Sequence, residues 1–157
     1  FAFAALLFMK RMAEVTDVHG WVYGEQQDED SDIDNINLKK VPVKTRVFEI
    51  TGPMFFAASE KFTAIVGQAD EEVLIIRMRT VPAIDATGLL AIERILDECK
   101  KKEIQVIFSH VNEQPMRVLE KAGITERVGK DNFSSHIDHA LERAAQIEEA
   151  RSKKRKL

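Results

Sequence analysis

The 157-residue chain contains one cysteine, Cys99, so no disulfide can close within it and zinc sites built from several cysteines are excluded. A lone thiol also suits a reducing compartment. A glycine-rich loop of the kind that cradles nucleotide phosphates is missing. An excess of either charge is missing too: 23 Lys and Arg stand against 26 Asp and Glu, a net charge of −3. That balance gives no domain-wide basic surface, so nucleic acid is not an expected partner. Long apolar runs are also lacking. The nine residues Phe1 to Met9 form the longest, well short of the roughly 20 that cross a bilayer.

What remains is the composition of one ordinary globular domain, 45% apolar and 31% charged. Its charge is concentrated in two places. Glu25, Asp28, Glu29, Asp30, Asp32 and Asp34 crowd one stretch, and Arg151, Lys153, Lys154, Arg155 and Lys156 crowd the last. Neither stretch carries large apolar side chains at regular spacing. Both are therefore expected to be mobile, because ordering them costs entropy with little burial in return.

The opening FAFAALLFMKRMAEV places its apolar run before Lys10-Arg11, the reverse of a secretory signal. It reads as the end of a longer membrane helix, with Lys10 and Arg11 just past the lipid on the cytoplasmic side. The competing reading is a first amphipathic helix of a soluble domain. Phe1, Phe3, Leu6, Leu7 and Phe8 do not share one helical stripe, which favours the membrane reading. The expected organisation is a transmembrane helix end at 1–12, a linker with the acidic stretch at 13–40, the folded body at 41–148 and a basic tail at 149–157.

Within the body, Val43 to Ile50 alternates and closes on Gly52-Pro53, as a strand does. Met54 to Ala69 carries Phe55, Ala58, Phe62, Ile65 and Val66 at helical spacing. Glu72 to Met78, with Val73-Leu74-Ile75-Ile76, reads as a strand buried on both faces. Leu89, Ile92, Leu96 and Cys99 mark a second helix that ends near Lys100-Lys101-Lys102. Ile104 to Phe108 is another buried strand. Pro115 opens a third helix, which Gly123 stops. Ile124 to Val128 reads as a short strand. Ser134 or Ser135 is placed to cap a final helix bearing Ile137, Leu141, Ala144 and Ile147. A further edge strand is expected around Trp21-Val22-Tyr23. This alternation predicts an α/β fold with a small mixed, largely parallel sheet of four or five strands and about four helices.

The segment VPAIDATGLLAIERI, residues 81 to 95, leaves a buried strand and enters a helix through Asp85-Ala86-Thr87-Gly88. Such turns lie at the C-terminal ends of parallel strands, where function gathers in open α/β sheets. Asp85 or Thr87 can cap the helix, and Gly88 allows a close approach or an unusual backbone angle. A plain strand-to-helix connection accounts for every residue here. Thr87 adds a hydroxyl beside a helix N-terminus, where a phosphate would meet free N–H donors.

At this turn the sequence resembles the STAS domain, the fold of bacterial anti-sigma-factor antagonists and of the cytoplasmic tails of SulP anion transporters. The resemblance runs from about Val43 to Ala145. DATG corresponds to the family's Asp-Ser-Ser-Gly turn, whose third residue is phosphorylated in the antagonists. Thr87 holds that position, while Ala86 departs from the serine before it. ITGPMFFAASEKF is similar to the Gly-Pro-Leu-Phe-Phe stretch that opens the domain in SulP proteins. FAFAALLFMKRMAEVTDV looks like the end of their last membrane helix with its linker.

The resemblance implies a non-catalytic regulatory domain of a sulfate-type anion transporter in the cell inner membrane, on its cytoplasmic side. It implies no cofactor, with the transporter's membrane domain, a second copy of the domain and a cytoplasmic regulatory protein as candidate partners. Thr87 is then the candidate phosphoacceptor, with Asp85 and Gly88 forming an interaction site at the turn and helix N-terminus. Met54, Phe55 and Phe56 are candidate partner contacts, since neighbouring rings at a helix start cannot all face one core. The alternative is a free phospho-switch that binds a kinase partner. Two further constellations point more weakly to chemistry. His136 and His139 are spaced for one helix face but lack a third ligand, so no metal is expected. Ser109-His110 with Asp85 lacks a nucleophile-elbow motif, so no catalytic residue is expected.

Overall fold

A computed structural model describes residues 17–21, 39–51 and 71–157. Five strands form one sheet: β1 (Asp17–Trp21), β2 (Thr45–Thr51), β3 (Val73–Thr80), β4 (Gln105–Ser109) and β5 (Phe133–Ser134), in the order β1-β2-β3-β4-β5. β1 runs antiparallel to β2, and every other neighbouring pair is parallel. Four helices lie among the described residues: α1 (Ala86–Lys101), α2 (Glu113–Lys121), α3 (Ile124–Val128) and α4 (Ile137–Arg155). The expected mixed, largely parallel sheet is thus present.

Two cores flank the sheet because strand side chains alternate between its faces. Phe48, Ile50, Leu74, Ile76, Met78, Val106 and Phe108 face α1, α2 and α3. Val47, Val73, Ile75 and Ile107 face α4, which supplies Ile137, Ala140, Leu141 and Ala144. Each fully buried Leu, Ile or Phe contributes about 1.5–3 kcal/mol relative to exposure. Both faces of β3 are covered, which is why its sequence reads as a continuous apolar run.

One level of the sheet breaks this pattern. Glu49, Arg77 and Ser109 are register partners on β2, β3 and β4. They are 6%, 2% and 0% exposed. Arg77 Nη1 lies 3.6 Å from Glu49 Oε2, and Arg79 Nε donates to Glu49 Oε1 at 2.6 Å.

Three expectations are corrected, and a fourth is met where the structure describes it. Ile124 to Val128 is helical. Ile124 and Val128, four apart, are both buried while Glu126 is exposed, whereas a strand would put all three on one face. The expected edge strand is present as Asp17–Trp21, and Val22 and Tyr23 lie outside the described residues. The cap of α4 is His136, whose Nδ1 accepts from Asp138 N at 3.2 Å, in place of either serine. The basic tail is no loose end, because α4 continues through it to Arg155. Arg151 Nη1 donates to the carbonyls of Glu103 at 2.6 Å and Glu72 at 3.2 Å, and Arg155 pairs with the Glu72 carboxylate. These anchors lie far away in the chain, beyond the reach of local composition. Gly123, with φ 74°, stops α2 as expected. The helix expected at Met54 to Ala69 lies outside the described residues.

Candidate functional site

The turn after β3 is built from both sides. Val81 and Ile84 are buried and anchor it in the core, while Pro82, Ala83, Asp85, Ala86 and Thr87 are exposed. Asp85 is the N-cap of α1 in extended conformation, and its Oδ1 accepts from Gly88 N at 2.7 Å. Thr87 Oγ1 donates to the same oxygen at 2.7 Å. A single carboxylate oxygen thus holds a helix N–H and the threonine hydroxyl together. Gly88 is buried within the helix and has no left-handed backbone. The unusual backbone angle considered for it is absent.

The next crossover grips this turn. Gln114 Oε1 accepts from Ile84 N at 2.9 Å, and Gln114 Nε2 donates to Ile84 O at 3.1 Å. Asn112 Nδ2 donates to the carbonyls of Arg79 at 3.1 Å and Val81 at 2.8 Å, and lies 3.4 Å from that of Met78. The sequence reading missed both side chains. Polar residues beside Pro115 look like an ordinary loop, and nothing local reveals that their partners are some 30 positions earlier.

Thr87 begins an outward stripe on α1 that continues through Leu90, 43% exposed, and Arg94. This surface carries an accessible hydroxyl, a capped helix N-terminus and one apolar side chain, a set suited to contact or modification. Met54, Phe55 and Phe56 lie outside the described residues.

Other constellations are not assembled for chemistry. Ser109 Oγ is buried, His110 is exposed with φ 53°, and Asp85 is engaged with Gly88 and Thr87. No hydrogen bond among the described residues joins those three. The rings of His136 and His139 lie 6.4 Å apart edge to face, and His136 spends Nδ1 on its cap. Among the described residues no group of three His, Cys, Asp or Glu is placed to hold a metal. Burial, reinforced by Glu71, pushes the Cys99 thiol up to about 12, so it stays protonated at neutral pH.

Comparison with known proteins fits this architecture. Residues 35–140 match the family model described as the STAS domain. The chain belongs to the STAS domain family. A sulfate transporter family protein from Wolinella succinogenes superposes with a TM-score of 0.72 at 33% identity, covering 76% of this chain and 99% of that one. The STAS domain of a SulP transporter from Vibrio cholerae gives 0.64 at 34% identity, covering 71% and 88%. The bicarbonate transporter BicA of Picosynechococcus is 29% identical over 99 residues, 62% of this chain and 18% of the transporter. An anti-sigma factor antagonist from Mycobacterium paratuberculosis, at 14% identity and a TM-score of 0.57 over 82% of this chain and 95% of that one, shares the fold alone. The chain spans between 10% and 24% of the length of the curated transporters it matches. No helix of the described residues is long and apolar enough to cross a membrane.

Proposed function

We propose that the chain is the cytoplasmic regulatory domain of a sulfate-type anion transporter of the inner membrane and performs no catalysis itself. The likeness to the Vibrio cholerae SulP domain, at 34% identity over 88% of that domain, carries the reading. The chain's small share of the curated transporters supports it, as does the apolar run before Lys10-Arg11. In this reading residues 1–12 end a membrane helix, the body at 41–148 contacts the membrane domain or a second copy, and the turn at Asp85–Gly88 meets a regulatory protein. The sequence that precedes Phe1 in the gene tests it. A series of apolar spans supports the proposal. A start codon directly before Phe1, with the product free in the cytosol, removes it.

The exposed Thr87 hydroxyl favours a second reading, a phospho-switch. A phosphate on Thr87 would remove the donor now held by Asp85 and set a dianion beside that carboxylate, changing the surface rather than the core. Mass-spectrometric mapping of the protein from cells tests this. Thr87 found unmodified, with partner binding unchanged in Thr87→Ala, would remove the switch.

A further inference from the structure

The two long helices lie on opposite faces of the sheet, yet both finish at the edge where β3 and β4 begin. α1 leads into β4, and the last turns of α4 reach Glu72 and Glu103, which immediately precede or approach those strands. Basic residues from two distant runs therefore meet there. Lys100, Lys101, Lys102, Lys153, Lys154, Arg155 and Lys156 are all exposed. Helix C-termini favour cations, which explains part of this. Lys101 also pairs with Glu98 at 3.2 Å and Lys153 with Glu149 at 3.0 Å. Lys100, Lys154 and Lys156 hold no carboxylate among the described residues. Between the runs opens a cavity of about 610 Å³, bordered by Lys102, Arg151, Lys154 and Arg155 together with Glu71, Glu72 and Glu103. Val43, in the turn before β2, stands 96% exposed at the same edge.

We propose that this edge docks a protein segment rich in Asp and Glu that also carries apolar side chains. Charge complementarity selects an acidic partner, and Val43 offers it an apolar contact. The carboxylates interspersed among the lysines disfavour a uniform polyphosphate such as nucleic acid. A peptide, by contrast, can set its own carboxylates between them. The opposite edge is where β1 begins, Asp17 pairing with Thr51 at the C-terminal end of β2. The eight residues of β3 separate the two edges by about 26 Å. If the transporter reading holds, the membrane side adjoins that opposite edge, and the choice of protein over lipid rests on this.

The test uses the full 157-residue chain and a fluorescein-labelled peptide of alternating Glu and Leu, followed by fluorescence anisotropy at low and physiological ionic strength. The peptide is expected to bind, more weakly as salt rises. The triple variant Lys100→Glu, Lys154→Glu, Lys156→Glu should weaken binding about tenfold or more. The same lysines changed to Gln, which spare the helix ends a new negative charge, should fall between. Arg117→Glu, at the middle of α2, should bind as the parent does. Vesicles of phosphatidylcholine with phosphatidylglycerol and a single-stranded RNA oligonucleotide are the competing probes. No peptide binding, binding indifferent to the lysine changes, or tighter binding to vesicles or RNA overturns the proposal. A failed peptide assay leaves the transporter reading standing. Missing membrane spans upstream would leave a positive peptide result standing.

Discussion

Gln114 and Ile84 exchange two hydrogen bonds, amide to backbone, across 30 positions of sequence. This pair ties the first turn of α2 to the loop that carries Asp85 and Thr87. Ile84 is 3% exposed, so water cannot replace a lost partner easily. Gln114→Ala is expected to destabilise the domain by about 1–3 kcal/mol, measured as the shift in urea midpoint at unchanged m-value.

The cap makes a second prediction. Asp85→Ala leaves the Gly88 N–H unpaired and should cost about 0.5–2 kcal/mol. Asp85→Asn, which keeps an acceptor, should cost less. Thr87→Ala removes only an exposed hydroxyl and should stay within about 0.5 kcal/mol. Thermal unfolding of the three variants checks the order. A Thr87→Ala loss equal to that of Asp85→Ala would show that the hydroxyl is structural.

Much of the architecture was legible in the sequence because buried strands and amphipathic helices announce themselves through periodicity. Val73 to Ile76 and the spacing of Ile92, Leu96 and Cys99 marked β3 and α1. Gly123 marked the end of α2. Short elements were harder. Five residues with apolar ends, Ile124 and Val128, fit either period until Glu126 is seen to be exposed. The Asp85 turn was visible as a capped helix start, whereas its supports Asn112 and Gln114 were not. Long-range side-chain bonds to backbone leave no local pattern. The same holds for Arg151 and Arg155, whose composition suggested a solvated tail until their partners at Glu72 and Glu103 were in view.

Adjacent carboxylates should respond oppositely to pH. Burial pushes Glu71 up, and this outweighs the opposing pull of Arg46 and Lys102, leaving it raised. Burial also raises Glu72, but hydrogen bonds from Arg155 and Lys44 outweigh it and leave it lowered. A lowered folded-state value stabilises the fold above the unfolded-state value and is lost as pH falls through the folded one. A raised value does the reverse, since ionising Glu71 destabilises the fold as pH rises from the unfolded-state value through the folded one. Relative to the parent, Glu72→Gln should therefore lose stability at neutral pH but little in acid. Glu71→Gln should gain relative to the parent as pH rises. Urea midpoints from acid to neutral pH read both slopes.

The buried row across the sheet gives a fourth expectation. Arg77→Met removes one of the two arginines that pair with Glu49 among the described residues. Because Arg79 still holds that carboxylate, the loss should stay below about 3–5 kcal/mol, the cost of a buried charge left without a partner. Replacing Glu49 with Gln in the same chain should recover part of that loss. A double-mutant cycle by urea unfolding measures the coupling.

Cys99 offers a simple check of packing. Its thiol is 1% exposed and held protonated by burial. Reaction with an aromatic disulfide reagent at neutral pH should be slow in the folded chain and reach the rate of a free thiol in denaturant. Fast labelling of the folded protein would contradict the packing of α1 on the sheet.

A domain that regulates an anion transporter, as proposed, must change transport when it is removed. Uptake of labelled sulfate, bicarbonate and chloride into membrane vesicles carrying the complete gene product tests it most directly, comparing the intact protein with one lacking residues 41–148. The account predicts anion uptake by the intact protein, and a changed rate, with membrane insertion retained, in the shortened one. Anion uptake that proceeds identically without the domain, or a complete product that carries no anion at all, would contradict it.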